Sequence, residues 1–532
     1  MKQPHAKNSE DHRARAIAKL KMELSKDVGR AAEIAGHCGL WDILRLCFLL
    51  RLNRVSMAVP MYRKKMSHAD LMAAQLYDEA LKYAIALAAK HGNWDSDALA
   101  IESMKGFDNE RVIQLSKLTS YINSKFETEK LLYVAEVRVS GARDQDCTLD
   151  IQAGIDNPER SMYLDFGVRV EQSTMRSKDK LLSVEELVRR LYMEYADVAD
   201  LFESENGISL AAYCEGMATL GFAIQARGAE AEYACVDAKG MIYPDQLKTF
   251  IAIARSMIFT DAELEPLLTP EFLTYLRQHF FDANAQNDAE LRFHYMSRRP
   301  FLMGQGFAIL SPDLVFDSVL DNAHFTLLES EESKQTYMNR KSMQFIDQIV
   351  SAASTVGFEE IDRDVYLMEG KDTIGDIDLI MRNKETGNTL LIEAKNHALP
   401  LDVYFVSPDS IKRHVDRTLD WERKVRRRIA HLQGNKSTYP LEGSWDYVIV
   451  SRMPEPISHV TDLLVLSLDE FQFWIRENPR LTAFSDIYSA IYMRNRPNMS
   501  IEEMQKFQQQ GFILASFDPE EVAKVIQRNN EC

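Results

Sequence analysis

The sequence predicts an α+β multidomain protein, with a mostly helical N-terminal region followed by a compact α/β domain. Three observations carry this expectation. At 532 residues the chain is several times the usual single-domain size. Its first part places apolar residues at helical spacing, and beyond residue 340 the pattern changes to short apolar strands alternating with helices. Hydrophobic residues at 46% and charged residues at 27% are an ordinary globular composition, which excludes low-complexity and collagen-like classes.

The polar, charged start MKQPHAKNSEDHRARAIAKLKMELSKD lacks the apolar stretch of a secretory signal. The run from Trp41 to Leu52 is broken by Asp42, Arg45 and Arg51 and is too short to span a bilayer. A cytoplasmic protein that does not enter membranes is expected. Cys38, Cys47, Cys147, Cys214, Cys235 and Cys532 are dispersed without a C-x-x-C pair, so they read as reduced thiols, mostly buried.

From Leu71 to Lys90, Tyr77, Leu81, Ala84, Ile85 and Ala88 line one helical face. His91-Gly92-Asn93 should end that helix, with glycine in a left-handed cap. Partial alternation suggests strands at Leu131 to Val139 and Met162 to Val170. Ser183 and Glu186 form a capping-box signature ahead of Leu187, Leu191 and Tyr195. Further helical patterns cover Asp245 to Met257 and Pro270 to Phe281. A helical domain over 1–145 and a mixed, mainly helical domain over 146–330 are therefore expected. The charge-dense stretch from Glu329 to Gln335, unsuited to a core, marks the next boundary. Gly304-Gln305-Gly306 is a lone G-x-G, and P-loop, H-E-x-x-H and G-x-S-x-G motifs are absent, which leaves ATPase, zincin and serine-hydrolase classes without support.

Past Arg340 an amphipathic helix should run to Thr355 and stop at Gly357-Phe358, before a strand near Asp364 to Met368. In KDTIGDIDLIMRNKETGNTLLIEAKNH two strands, Ile377 to Met381 and Thr389 to Lys395, flank a polar connection ending in Gly387-Asn388. Antiparallel pairing would set Asp378 opposite Glu393 or Lys395, and residues two apart share a face. Ile377, Leu379, Ile392 and Ala394 would form the opposite, apolar face. Two carboxylates and an ammonium then converge, a donor set suited to Mg²⁺ with positions left for water and phosphate. His397 would share the face of Lys395 if the strand continued, although a surface histidine is the plainer reading.

Gly375-Asp376-Ile377-Asp378 followed by Ile392-Glu393-Ala394-Lys395 resembles the restriction-endonuclease-like, or PD-(D/E)XK, nuclease superfamily in its G-(E/D)-I-D…(V/I)-E-x-K form. The resemblance implies a central mixed sheet flanked by helices over about 337–480, with a helical extension over 481–532. It implies that Asp378 and Glu393 bind Mg²⁺ or Mn²⁺ and that Lys395 is the catalytic lysine. Asp376, and Asp347 ten residues before Gly357, are weaker metal-ligand candidates. The implied activity is phosphodiester hydrolysis, in DNA rather than RNA and by an endonuclease rather than an exonuclease. Such fusions suit prokaryotic restriction, repair or anti-phage defence, with the N-terminal region selecting substrate, a protein partner or a second copy. The alternative is a catalytically inactive, nucleic-acid-binding or scaffold protein of the same fold.

Downstream, a helix from Asp409, a strand at Tyr447 to Ser451, and a strand and helix over Leu463 to Trp474 are expected. Ile411 to Arg428 holds eight basic and three acidic side chains in a chain of net charge −17. Phosphate affinity comes from clustered cations, so nucleic-acid contact should be local. Lys412, Arg413, Arg417, Arg423 and Lys424 are the candidate contacts, against the plainer reading of a solvated face paired with Asp416, Asp420 and Glu422. Trp421 reads as a core anchor.

Overall fold

The computed structural model describes residues 4–492 apart from short internal segments, of which the longest are 59–67, 96–103, 141–147, 153–161, 174–182 and 237–245. The chain is α+β, as expected, with helices dominating the first 330 residues. It forms two compact units, one from residues 18–127, 181–337 and 498–532, the other from 1–17, 128–180 and 338–497.

The first unit is mainly helical, with a small antiparallel sheet in the order β3 (Ile258–Thr260), β5 (Phe307–Ile309), β4 (Leu302–Gly304). It includes α1 (Leu40–Ala58) and α2 (His68–His91), the latter covering the predicted Leu71 to Lys90 face. Gly92 ends α2 without a left-handed backbone, correcting the expected cap. Glycine is needed there for closeness, since a Cβ would lie 2.5 Å from the Ala88 carbonyl oxygen and 2.6 Å from that of Cys38. Ser183 caps its helix as expected, accepting from the Glu186 amide at 3.2 Å. The polar stretch before the second unit is not wholly outside the core, because Ser333 is buried and donates to Glu205. Cys38, Cys47, Cys214 and Cys235 are free and buried. Among the described residues no single helix is long and apolar enough to cross a membrane.

In the second unit, the two early strand expectations need correction. Helix continues to Val134, and β1 (Glu136–Ser140) then pairs antiparallel with β2 (Thr148–Gln152). Residues 162–170 are helical apart from 164, which is not described. Met162, Phe166 and Val170 recur every four residues, a helical period, and pack together with Leu399, Val403 and Ile411.

The five-stranded sheet runs β10-β9-β8-β7-β6, where β6 is Phe358–Glu369, β7 Asp372–Asn383, β8 Thr389–Lys395, β9 Trp445–Ser451 and β10 Leu464–Ser467. Pairing is antiparallel from β6 to β8 and parallel from β8 to β10, so the sheet is mixed. Helix α3 (Lys334–Ser354) precedes it and α4 (Pro408–Gly434) provides the crossover between β8 and β9. One face packs Leu379, Met381, Leu390 and Ile392 against Phe345 and Ile349 of α3, Trp474 of α5 (Leu468–Glu477) and Ile487 of α6 (Phe484–Tyr492). The other packs Ile380, Leu391 and Ile449 against Val425 and Leu432 of α4. Helix α6 lies in the expected C-terminal extension, and the rest of that extension, 493–532, lies outside the described residues.

Candidate active site

The hairpin of β7 and β8 forms as expected, and its register decides between the two alternatives for Asp378. Leu379 pairs with Ile392 and Met381 with Leu390, so Asp378 falls opposite Glu393. The ladder stops there. Instead of a backbone contact, the Ala394 amide donates to Asp378 Oδ2 at 2.6 Å. On the other side, Asp364 of β6 has φ +50° and interrupts pairing with β7 between Leu379 and Ile377. The strand departs from strict alternation at this point. Ile377 packs with Ile380 and Leu391, correcting its expected place beside Leu379, Ile392 and Ala394.

Three of the predicted residues come together. Glu393 is buried at 5% exposure, and Lys395 Nζ lies 2.6 Å from its Oε1. Burial, and then the charge of Glu393, push the Asp378 carboxyl up to about 6, against the opposing pull of Lys395 and the Ala394 amide. Asp376 reaches the same network through Arg428, whose Nη2 lies 3.1 Å from Asp376 Oδ1. Asp347 is not brought to the site. Its 64% exposed side chain pairs with Arg363 at 2.7 Å.

Arg428 and Tyr447 were not singled out in the sequence. Arg428 Nη1 contacts Glu393 Oε2, and the Tyr447 hydroxyl donates to the same oxygen at 3.3 Å. Burial works against the Arg428 charge, but Glu393 and Asp376 outweigh it and hold the guanidinium firmly protonated. Both oxygens of Glu393 are thus engaged by cations. Gly375 makes this possible, since a Cβ there would lie 2.5 Å from Arg428 Nε. A signal for Arg428 was present. Ile411, His414, Thr418, Val425, Arg428 and Leu432 are the buried stripe of α4, at spacings of three, four and seven.

Lys412, Arg413, Arg417, Arg423 and Lys424 are all exposed on α4. Arg423 and Lys424 pair with Asp420 at 3.2 and 2.7 Å, and Arg413 lies 3.7 Å from Asp402. Among the described residues Lys412 and Arg417 form no ion pair. Trp421 is half-buried, with Lys395 Nζ 5.9 Å from its ring and the His397 ring 5.1 Å away, so it borders the site rather than anchoring the core.

The oxygen-only donor set of Asp378 and Glu393 fits a hard cation such as Mg²⁺ or Mn²⁺. Burial and the Glu393 charge both disfavour the ionised Asp378 carboxyl, which a bound cation would offset, although Glu393 would have to yield a contact to Arg428 or Lys395. Asp376, Asp378 and Glu393 do not form a tight three-ligand group. Among the described residues such a group is formed by His397, His414 and Glu455, whose ligand atoms all lie within 4.8 Å of one another. A pocket of about 490 Å³ lined by Gly443, Trp445, Asp446 and Asp462 contains none of Asp378, Glu393 and Lys395. No protein-family model matches the chain, and no significant match is found among curated proteins or solved structures.

Proposed function

We propose that the protein is a metal-dependent nuclease that hydrolyses phosphodiester bonds in DNA, built as a PD-(D/E)XK-type site on the β7–β8 hairpin. The observation that carries this reading is the convergence of Asp378, Glu393 and Lys395, with Lys395 Nζ 2.6 Å from Glu393 Oε1 and the Asp378 carboxyl pushed up to about 6. Asp378 and Glu393 would hold Mg²⁺ or Mn²⁺, with Asp376 as an adjunct. When bound, the ion supplies neutralisation of phosphate charge and a water of lowered pKa. Lys395 carries an ammonium that can orient the attacking water and stabilise charge building on the phosphate. Arg428 and Tyr447 hold the Glu393 carboxylate in place. The exposed cations of α4 would contact backbone phosphates without reading sequence.

The test is plasmid nicking by the purified full-length chain with Mg²⁺. Asp378→Ala, Glu393→Ala and Lys395→Ala are each expected to lower cleavage by roughly 10²-fold or more, the scale of losing a charge-stabilising group, with unchanged circular dichroism. Equal cleavage by the wild type and all three variants would sink the proposal. One observation favours a second reading, a non-catalytic nucleic-acid-binding protein: Arg428 already stands on Glu393 where a cation is needed. DNA binding without cleavage in either Mg²⁺ or Mn²⁺ would support that reading instead.

A further inference from the structure

Beyond Lys395 the chain leaves the sheet, and His397 meets two groups from distant elements. His414 comes from the buried stripe of α4, and Glu455 from the loop after β9. The carboxylate receives one imidazole on each oxygen. His414 Nε2 lies 2.8 Å from Glu455 Oε2, and His397 Nε2 lies 2.9 Å from Glu455 Oε1. Glu455 is fully buried, His414 is 7% exposed, and the His397 side chain is 28% exposed.

Hydrogen bonding alone does not satisfy this cluster. His397 Nε2 and Glu455 Oε1 are both buried atoms that face each other at 2.9 Å, off the angles of a well-formed hydrogen bond. A buried polar atom left unmatched costs about 1–3 kcal/mol, and the three ligand atoms lie within 4.8 Å of one another, close enough to share one ion. The backbone that carries Glu455 is also held, because its carbonyl accepts from Arg169 Nη1 at 2.8 Å. A preformed set of donors on a rigid frame is what ion binding requires.

We propose that His397, His414 and Glu455 bind a divalent transition-metal ion of the zinc class. Two imidazole nitrogens and one carboxylate oxygen are a borderline-soft donor set, which zinc accepts and which hard, oxygen-seeking Mg²⁺ does not favour. Three protein ligands are one short of tetrahedral closure, so a water completes the shell, and the partial exposure of His397 gives the ion a route in. This site differs in ligand chemistry from Asp378 and Glu393 and does not depend on their activity. Its ion would tie the end of β8 and the loop after β9 to α4, the helix that carries Arg428.

The experiment uses the full-length chain stripped with chelator and titrated with Co²⁺ in excess Mg²⁺. The expected result is one bound ion per chain with the visible bands of tetrahedral cobalt, displaced by Zn²⁺, and a higher thermal midpoint with either ion. His397→Ala, chosen because that side chain is partly exposed, and Glu455→Gln, which keeps the shape, should each lower affinity at least ~10–100-fold, the loss seen even for outer-shell partners. Asp378→Ala should leave the bands unchanged. Absence of stoichiometric binding to the wild type, or bands retained by both His397→Ala and Glu455→Gln, would overturn the proposal and leave a hydrogen-bonded cluster only.

Discussion

Asp378 and Glu393 put two carboxylates side by side on neighbouring strands, and the consequence can be read as a dependence of stability on pH. Burial and the neighbouring charge raise Asp378 from its ordinary 3.8 to about 6. Between those values the folded chain holds more protons than the unfolded chain, so this group lowers stability as pH rises from about 4 to 6, and the full penalty then stays constant at higher pH. Asp378→Asn keeps an acceptor for the Ala394 amide but carries no charge. Without metal it should therefore be more stable than wild type by roughly 1–2 kcal/mol at pH 8, and nearly equal to it at pH 4. Urea unfolding in chelator at both pH values checks this, and a variant less stable at pH 8 refutes it. Gly375→Ala acts in the opposite direction. Its methyl would meet Arg428 Nε at 2.5 Å, so it should cost about 1–3 kcal/mol as overpacking does and displace the guanidinium from Glu393. The same unfolding measurement, with cleavage alongside, tests it.

At the scale of the element, α4 has two jobs on two faces. Its exposed side holds Lys412 and Arg417, which have no ion pair among the described residues, whereas Arg423 and Lys424 already share Asp420. If this face contacts phosphates, the double change Lys412→Ala and Arg417→Ala should weaken DNA binding and reduce the slope of log affinity against log salt by about 1.8, or ~0.9 per phosphate lost. Arg423→Ala should weaken it less, since that cation is partly neutralised by its neighbour. Anisotropy titrations over a salt series decide the matter, and an unchanged slope in the double variant removes this face from the interface. The buried side explains what the sequence concealed. The hairpin and the convergence of Asp378, Glu393 and Lys395 were legible because strand alternation and a short connection are local, whereas the choice of Glu393 over Lys395 opposite Asp378 was not. Arg428 and His414 were not, because a stripe judged by apolar residues assigns cations to solvent. Their partners, Glu393 and Glu455, lie 35 and 41 residues away. Ile377 escaped for a different reason, since strict alternation puts it on the face of Leu379, whereas in β7 it shares a cluster with Ile380.

For the whole molecule, the unit that holds the site draws on chain far from the 337–480 segment, and that dependence has an energetic centre. Arg169, fully buried, donates to Glu470 from Nε at 2.7 Å and from Nη2 at 2.8 Å across 301 residues of sequence. Burial would raise the Glu470 carboxyl, but Arg169, the Ser467 amide and the Tyr492 hydroxyl hold it below the usual range. The guanidinium also lies 4.5 Å from the centre of the Phe484 ring. No local pattern could announce this pair, because 162–170 resembles a strand by partial alternation and its partner lies beyond the sheet. Removing one member strands the other charge in a low-dielectric interior, which typically costs about 3–5 kcal/mol, whereas replacing both with apolar groups is often near neutral. Arg169→Met should therefore destabilise the full-length chain by about 3–5 kcal/mol, and the double variant Arg169→Met, Glu470→Leu should recover most of that loss. By the same logic a fragment of residues 338–497 alone, lacking Arg169, should fold poorly and show no cleavage. Urea unfolding of the single and double variants discriminates sharply: a single variant within about 1 kcal/mol of wild type, or a double variant worse than the single, would show that residues 128–180 merely decorate the sheet unit rather than complete its core.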